Sequence, residues 1–319
     1  MIYQNATAEP REELTDVIME GVTDRTDFIG LQVLGEVPLT LQNGHVPKIT
    51  IADGDPLRST TKIRKPGSAF DRWQSTIDDH SIALLQVAEE VQLPDEQMLT
   101  YEDYFPIEAV YAAEAGNRLL RGLELDISGA VFNASNFTNG VNSATAYTAA
   151  NLATMTPVAD ITAAIRRVKA LGERPDTLVM SGPVYDRIRQ SADMRSWIAG
   201  SVNPGARVSE DTIQQSFSSM GIKKVLVGDT YVNQSQSTKN NSINQIWSNT
   251  YIFVGACKSG KLQAGGVGRT FYWEKLGPLL NASSYRDEKV MSNVIRALKT
   301  SLSDITNARA GTLIVTQYS

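Results

Sequence analysis

One segment of the sequence comes close to a known phosphate-binding pattern. Residues 255–262 read Gly-Ala-Cys-Lys-Ser-Gly-Lys-Leu and follow a predicted strand at 251–254. A P-loop requires Ser or Thr after its lysine to hold magnesium, and a helix whose N-terminus faces the phosphates. Leu262 takes the place of that hydroxyl, and the glycine-rich continuation to Gly268 disfavours a helix. The pattern therefore favours a hairpin or surface turn, with a nucleotide site as the alternative.

The other residue types that could do chemistry form no catalytic or metal-binding pattern. His45 and His80 are the only histidines, too few for a three-histidine metal site. Neighbouring carboxylates, as in Glu89-Glu90, point to opposite faces of a strand, which separates them for acid–base work. Cys257 is the only cysteine, so no disulfide forms within the chain, and we interpret it as a small packing residue. We predict no catalytic residue, no cofactor and no metal.

Composition and charge are those of a folded protein without a strong nucleic-acid affinity. The chain has 319 residues, of which 42% are hydrophobic and 20% charged. Lys and Arg number 30 against 35 for Asp and Glu, a net charge of −5, which argues against a dedicated nucleic-acid binder. No apolar run approaches the roughly 20 residues that span a bilayer, and the first ten residues lack signal-peptide features. We expect synthesis in a cytoplasm and no membrane partner.

The first hundred residues alternate in charge. Residues 1–36 hold eight acids against two arginines, residues 37–75 are basic and rich in turn formers, and residues 76–100 hold six acids and no Lys or Arg. A long loop with so little to bury is either disordered or lies against something outside its own fold. Alternating blocks invite pairing between segments or between subunits, with a solvated surface of mixed charge as the alternative. The candidates for contacts between subunits are Lys48, Arg58, Lys62, Arg64, Lys65, Arg72, Glu89 and Glu90.

Hydrophobic spacing predicts the elements that carry these residues. A short helix at 15–21 interrupts an otherwise extended arm, and residues 82–91 alternate as a strand returning from a long hairpin. From 101 to about 135, small and apolar residues recur at steps of four and three, which predicts one helix of about 50 Å. Further helices are predicted at 157–171, 183–190 and 209–219, and further strands at 177–181, 222–227, 251–254, 270–273, 285–305 and 313–315.

Four stretches carry a family resemblance: Val-Ala-Glu-Glu-Val-Gln-Leu-Pro-Asp-Glu at 87–96, Pro-Asp-Thr-Leu-Val-Met-Ser-Gly-Pro-Val-Tyr at 175–185, Lys-Val-Leu-Val-Gly-Asp-Thr at 224–230 with Tyr-Ile-Phe-Val-Gly-Ala at 251–256, and Ile-Thr-Asn-Ala-Arg-Ala-Gly-Thr-Leu-Ile at 305–314. They occur in the order acidic arm, basic hairpin loop, acidic return, long helix, mixed domain and closing strand. This order resembles the HK97-like major capsid proteins of tailed bacteriophages over nearly the whole chain.

The resemblance implies an α+β, HK97-like capsid fold. It divides the chain into an N-terminal arm at 1–36, an extended hairpin loop with its return strand at 37–98, a peripheral domain with the long spine helix at 99–154, an axial domain at 155–268, and the closing strands of the peripheral domain at 269–319. In such a fold the arm and the extended loop each cross onto a neighbouring subunit.

The implied function is structural, not enzymatic. The chain would be a major capsid protein that self-assembles into the hexamers and pentamers of an icosahedral shell, assembled in the host cytoplasm and found in the virion. The shell would enclose double-stranded DNA without reading its sequence. Implied partners are a separate scaffolding protein, a portal and an optional cement protein, with noncovalent assembly. The alternatives are an encapsulin-type nanocompartment shell and, in another class, an α/β nucleotide-binding enzyme that uses residues 255–268.

Overall fold

The computed structural model has the α+β architecture that the sequence predicts. It describes residues 9–24, 28–48, 63–69, 78–101, 104, 106–137, 140–201, 208–235, 242–258 and 265–318. Helices α1 to α8 lie at Glu12–Asp24, Gly30–Val33, Asp95–Tyr101, Ile107–Val131, Pro157–Ala170, Gly182–Gln190, Ala192–Ser201 and Glu210–Phe217. Strands β1 to β15 lie at Glu9–Pro10, Glu36–Leu39, Asn43–Lys48, Asp78–Ala83, Leu85–Pro94, Val141–Asn142, Thr177–Ser181, Lys224–Gly228, Tyr231–Asn233, Ile243–Gln245, Tyr251–Gly255, Gly268–Trp273, Leu280–Asp287, Ser292–Ile305 and Gly311–Val315.

The first sheet is built around the long strand β14. Its order is β1-β13-β14-β12-β2, and β5 pairs with the remaining edge of β14 over ten residues. Helix α4 packs across β14 and β5 and shares one core with them. The single strand predicted at 285–305 is wrong in one respect, because β13 ends at Asp287 and β14 begins at Ser292. Met291 has a φ of 47° and closes the turn between them.

The long spine helix is shorter than predicted. It begins at Ile107 and ends at Val131, so its 25 residues span about 38 Å. Pro106 precedes the helix as its N-cap and separates it from α3, because proline lacks the N–H that a continuous helix would need there. At the other end, the Asn136 side chain donates to the carbonyl of Ala130 (2.8 Å) and satisfies an acceptor that the helix leaves unpaired.

The second sheet has its own core. Its order is β6-β15-β11-β7-β8, and helices α5 to α8 pack against it around a cluster that includes Leu178, Ile188 and Phe217. All five residues of β7 are buried, as a strand covered on both faces requires. The helix predicted at 209–219 is confirmed as α8, and Ser209 and Thr212 form a capping box at its start. The closing strand β15 pairs with β11 and therefore lies in this sheet, although the resemblance assigns it to the peripheral domain.

The base of the extended hairpin folds onto its own chain. Strands β3 and β4 pair over six residues, and Val46, Ile82 and Leu84 are buried against Phe271. The expectation that this segment buries little within its own body is therefore wrong at the base. Its apolar residues are few, but period-two alternation places them on one face. Farther along the hairpin, residues 63–69 are exposed throughout.

The N-terminal arm is less extended than the sequence analysis predicts. Helix α1 runs for 13 residues, longer than the short helix predicted at 15–21, and its first turn carries Glu12 and Glu13, which the positive end of the helix dipole favours. Leu14 and Ile18 are buried where α1 crosses α4 and β13. A Cβ at Gly116 would lie 2.7 Å from a methyl carbon of Ile18, so only glycine permits this close approach.

A buried carboxylate ties the arm to the spine helix. Glu124 of α4 is 3% exposed and accepts hydrogen bonds from the backbone N–H groups of Ile29 (3.1 Å) and Gly30 (2.8 Å) and from Nε1 of Trp247 (2.7 Å). A Cβ at Gly30 would overlap this carboxylate. Burial raises the pKa of Glu124 above its ordinary value of 4.5, and the three donors offset part of that effect.

The raised pKa of Glu124 predicts a specific dependence of stability on pH. As pH rises above 4.5 the unfolded chain loses this proton first, so the folded state is penalised until its own Glu124 ionises. The free energy of unfolding of the wild type minus that of Glu124→Gln should therefore fall as pH rises through the raised pKa, by at most about 1.4 kcal/mol per pH unit, and then level off. Urea unfolding from pH 4 upward measures this difference. A difference that stays flat or increases would contradict the assignment.

Candidate inter-subunit surfaces

The segment that approaches a P-loop does not build a phosphate site in the described residues. Gly255 ends β11 and pairs with Gly311, and the chain continues through Ala256 to Lys258 without a helix. Lys261 and Leu262 lie outside the described residues. Cys257 is buried in the first core, and burial, with the charge of Asp176 as a second cause, raises the pKa of its thiol to about 12, which disfavours a thiolate.

Among the described residues, no three His, Cys, Asp or Glu side chains cluster closely enough to hold a metal ion. None of the described helices is both long enough and apolar enough to cross a membrane.

The basic candidates fall on the extended hairpin. Lys48 ends β3 opposite Asp78, and its side chain is not among those described. Arg58, Lys62 and Arg72 lie outside the described residues. The remaining pair, Arg64 and Lys65, is exposed. The Arg64 Nε donates to the carbonyl of Ser68 (2.8 Å), and Ser68 Oγ donates to the carbonyl of Lys65 (2.8 Å), which closes a turn.

The acidic candidates lie on the strand β5. Glu90 is paired within its own chain, with Arg296 of β14 at 2.6 Å and with the hydroxyl of Tyr285 at 3.3 Å. This pairing does not prevent Glu90 from contacting another subunit. Glu89 is nevertheless the more available of the two carboxylates for such a contact. Glu89 is half-buried and faces the opposite side of the strand. No strand in the described part of the chain pairs with the outer edge of β5.

Exposed apolar residues lie beside both the acidic and the basic candidates. The sequence analysis did not predict that these apolar residues are exposed. Leu85 is 63% exposed and Val87 is 43% exposed, on the same face of β5 as Glu89. On the hairpin, Ile63 is 93% exposed beside Arg64. The two surfaces are complementary in chemistry. Strand β5 has an unpaired edge with apolar and acidic side chains, and the hairpin carries basic side chains beside an apolar one. The alternation of β5 signals these positions, but only the fold shows that α4 leaves them uncovered.

Comparison with known proteins finds solved structures with a similar fold. No protein-family profile and no curated protein sequence matches the chain. A solved phage-related protein from Bordetella bronchiseptica RB50 is 14% identical, with 98% of each chain covered and a TM-score of 0.72. The capsid of cyanophage P-SCSP1u is 12% identical, over 90% of this chain and 86% of that one, with a TM-score of 0.57. A virus-like particle from Pyrococcus furiosus is 11% identical, over 95% and 98%, with a TM-score of 0.55.

The chain has the HK97-like capsid fold. The solved structures match between 90% and 98% of its length. This confirms the fold class that the sequence predicts and the resemblance on which it was based. Among the exposed large apolar side chains of the described residues, Ile63 lies on the hairpin and Leu85 and Val87 lie on β5.

Proposed function

We propose that this HK97-like chain is the major capsid protein of a tailed phage, a subunit that self-assembles into an icosahedral shell around double-stranded DNA. The observation that carries the proposal is structural similarity over at least 90% of the chain to a phage capsid and to a virus-like particle. A shared fold does not fix function by itself. The exposed hairpin and the unpaired edge of β5 support the proposal, because a shell subunit needs surfaces for copies of itself.

The proposed contact joins the hairpin of one subunit to β5 of another. Ile63 would cover the apolar patch of Leu85 and Val87, while Arg64 and Lys65 approach Glu89. Burying this apolar surface supplies the attraction, and the charges fix register and reject other pairings. A shell closes through many such contacts. Each contact is weak enough to dissociate when it forms incorrectly, so errors of assembly are corrected.

The finer features are parts of the same proposal. The second sheet and its helices would form the axial domain near the capsomer axes, with β15 included in it, and the first sheet with α4 would form the peripheral domain. Hexamers and pentamers would assemble in the host cytoplasm with a scaffolding protein and a portal, and a cement protein could be added later. The subunit would act as a wall in the virion, without catalysis and without sequence-specific contacts to DNA.

A nanocompartment shell is the second candidate function. The virus-like particle from Pyrococcus furiosus is covered over 98% of its length by this fold, so the same architecture occurs in a particle whose name does not specify a phage. The contents separate the two candidates. Particles purified from the producing cell would hold nuclease-protected double-stranded DNA in the first case and a protein cargo in the second.

Overexpression of the full chain tests the proposal. Negative-stain electron microscopy and sedimentation should show closed particles or capsomer rings, with or without the coexpressed scaffolding protein. A compact, monodisperse monomer at high protein concentration under both conditions would contradict the proposed function.

A further inference from the structure

The two ends of the second sheet carry opposite charges. Strands β7 and β8 are parallel and in register from Thr177 opposite Lys224 to Ser181 opposite Gly228. Residues that precede both strands therefore meet at one end of the sheet, and residues that follow both strands meet at the other. Five residues of strand separate the ends by roughly 16 Å.

The end that precedes the strands is basic. A cavity of about 690 Å³ is lined there by the exposed side chains of Lys169, Arg174, Lys223 and Lys258. None of these four cations forms an ion pair with a residue that the structure describes.

The two carboxylates in the same lining are engaged by neutral donors of their own chain. Glu173 accepts from the side chain of Asn307 (2.8 Å), and Asp176 accepts from the backbone N–H of Cys257 (2.8 Å) and from the hydroxyl of Thr177. Four cations against two occupied carboxylates leave this end with an excess of positive charge.

The end that follows the strands is acidic. A cavity of about 930 Å³ is lined there by Asp186, Glu210 and Asp229 together with Tyr185 and Tyr231, and its described lining contains no Lys or Arg. Asp186 pairs with Arg189 (2.8 Å) on the outer surface of α6. Burial, and then the neighbouring charge of Asp211, raise the pKa of Glu210 above its ordinary value. Tyr231 is 49% exposed and offers an aromatic surface of the kind common at interfaces.

Local roles explain single residues but not the opposition of the two ends. Lys169 lies in the last turn of α5 and Glu210 in the first turn of α8, where each favours its helix dipole. The other three cations come from separate segments: Arg174 precedes β7, Lys223 precedes β8 and Lys258 follows β11. None of the three is needed to stabilise a helix end. The parallel pairing of β7 and β8 is what gathers like charges at each end.

We propose that the basic end of one copy binds the acidic end of the next copy. This inference rests on the proposed function, since it describes how subunits of the shell meet around a ring. Contacts between two basic ends or two acidic ends are repulsive, so a two-fold arrangement through these surfaces is disfavoured. A head-to-tail contact brings opposite charges together, and a contact of this type closes into a ring when its rotation divides a full turn.

Charge reversal at each end tests the contact. The basic-end variant is Lys223→Glu with Lys258→Glu, and the acidic-end variant is Asp186→Lys with Glu210→Lys. Asp229 is left unchanged because it packs against Gly182. Each variant alone should lose particles by roughly tenfold or more, because like charges would then face each other. A chain carrying all four substitutions should regain particles, since both surfaces are reversed together.

An equimolar mixture of the two double variants should recover six-membered rings, because alternating copies restore every contact in a ring with an even number of subunits, whereas a pentamer would keep one repulsive contact. The control is Arg166→Glu with Lys275→Glu, the same charge change on exposed cations outside the basic cavity, and it should assemble like the wild type. Circular dichroism and thermal unfolding establish that each variant folds.

Several results would overturn the inference. The inference would be wrong if either double variant assembled like the wild type. It would also be wrong if the quadruple variant and the mixture both folded but failed to regain assembly. Intact assembly of the basic-end variant together with loss of binding to a single-stranded DNA oligonucleotide would assign the basic cavity to nucleic acid instead. A wild-type chain that forms no oligomer would overturn the proposed function along with this contact.

Discussion

Replacing Glu124 by alanine is expected to lower the free energy of unfolding by about 3 kcal/mol or more, because each buried donor left without an acceptor costs about 1–3 kcal/mol. The substitution leaves three buried donors without an acceptor: the backbone N–H groups of Ile29 and Gly30 and the indole N–H of Trp247. It also opens a cavity beneath Trp247, whose ring packs edge-on against Phe132 at 5.1 Å between centroids. The arm, the spine helix and the segment before β11 would loosen together.

Glu114→Ala is the matched control for this substitution. Glu114 lies on the same helix, is exposed, and pairs with Arg118 one turn away at 3.0 Å. Exposed pairs of this kind contribute less than about 1 kcal/mol. Urea unfolding of the unassembled chain compares the two variants with the wild type. If Glu124→Ala costs no more than Glu114→Ala, the carboxylate does not hold these elements together.

Reversing the charge of the hairpin, with Lys62→Glu, Arg64→Glu and Lys65→Glu, is expected to abolish assembly while the chain still folds. The described part of this segment makes no contribution to the core, since residues 63–69 are exposed. In the assembled shell the new carboxylates would face Glu89 of a neighbouring β5, and like charges across an interface are strongly disfavoured. Particle yield by electron microscopy, beside the thermal unfolding curve of the monomer, measures both halves of the prediction.

The control for the hairpin variant carries the same charge change elsewhere, with Arg166, Lys275 and Lys289 each replaced by Glu. It should assemble normally. Adding Glu89→Lys to the hairpin variant should restore part of the lost yield if the two surfaces meet. Normal particles from the hairpin variant would refute its part in assembly.

Local signals in the sequence were sufficient for many of the elements. A run such as Thr177 to Ser181 is apolar at nearly every position because β7 is covered on both faces, and such a run stands out without any knowledge of its neighbours. The start of α8 is set by Ser209 and Thr212, which are three residues apart and cap the helix between themselves. Features whose causes lie within one turn or one strand are the ones that the sequence predicted well.

Features that depend on distant partners were missed or misjudged. Glu124 looks like a surface residue of an amphipathic helix, and only contacts with residues more than 90 positions away make it a buried acceptor. The hairpin base appeared to have little to bury, because its cover, Phe271, lies about 190 to 225 residues later in the chain. The opposed charges of the second sheet are likewise invisible in the chain order, since parallel pairing of β7 and β8 brings the segments together.

Hydrogen–deuterium exchange before and after assembly tests most directly whether this chain hides its exposed surfaces against copies of itself. Backbone amides of residues 63–69 and of the unpaired edge of β5 should exchange rapidly in the unassembled chain and become protected in particles, while β7 is protected in both. The same rates in both states for the hairpin and β5, or protection already present in the monomer, would contradict the account.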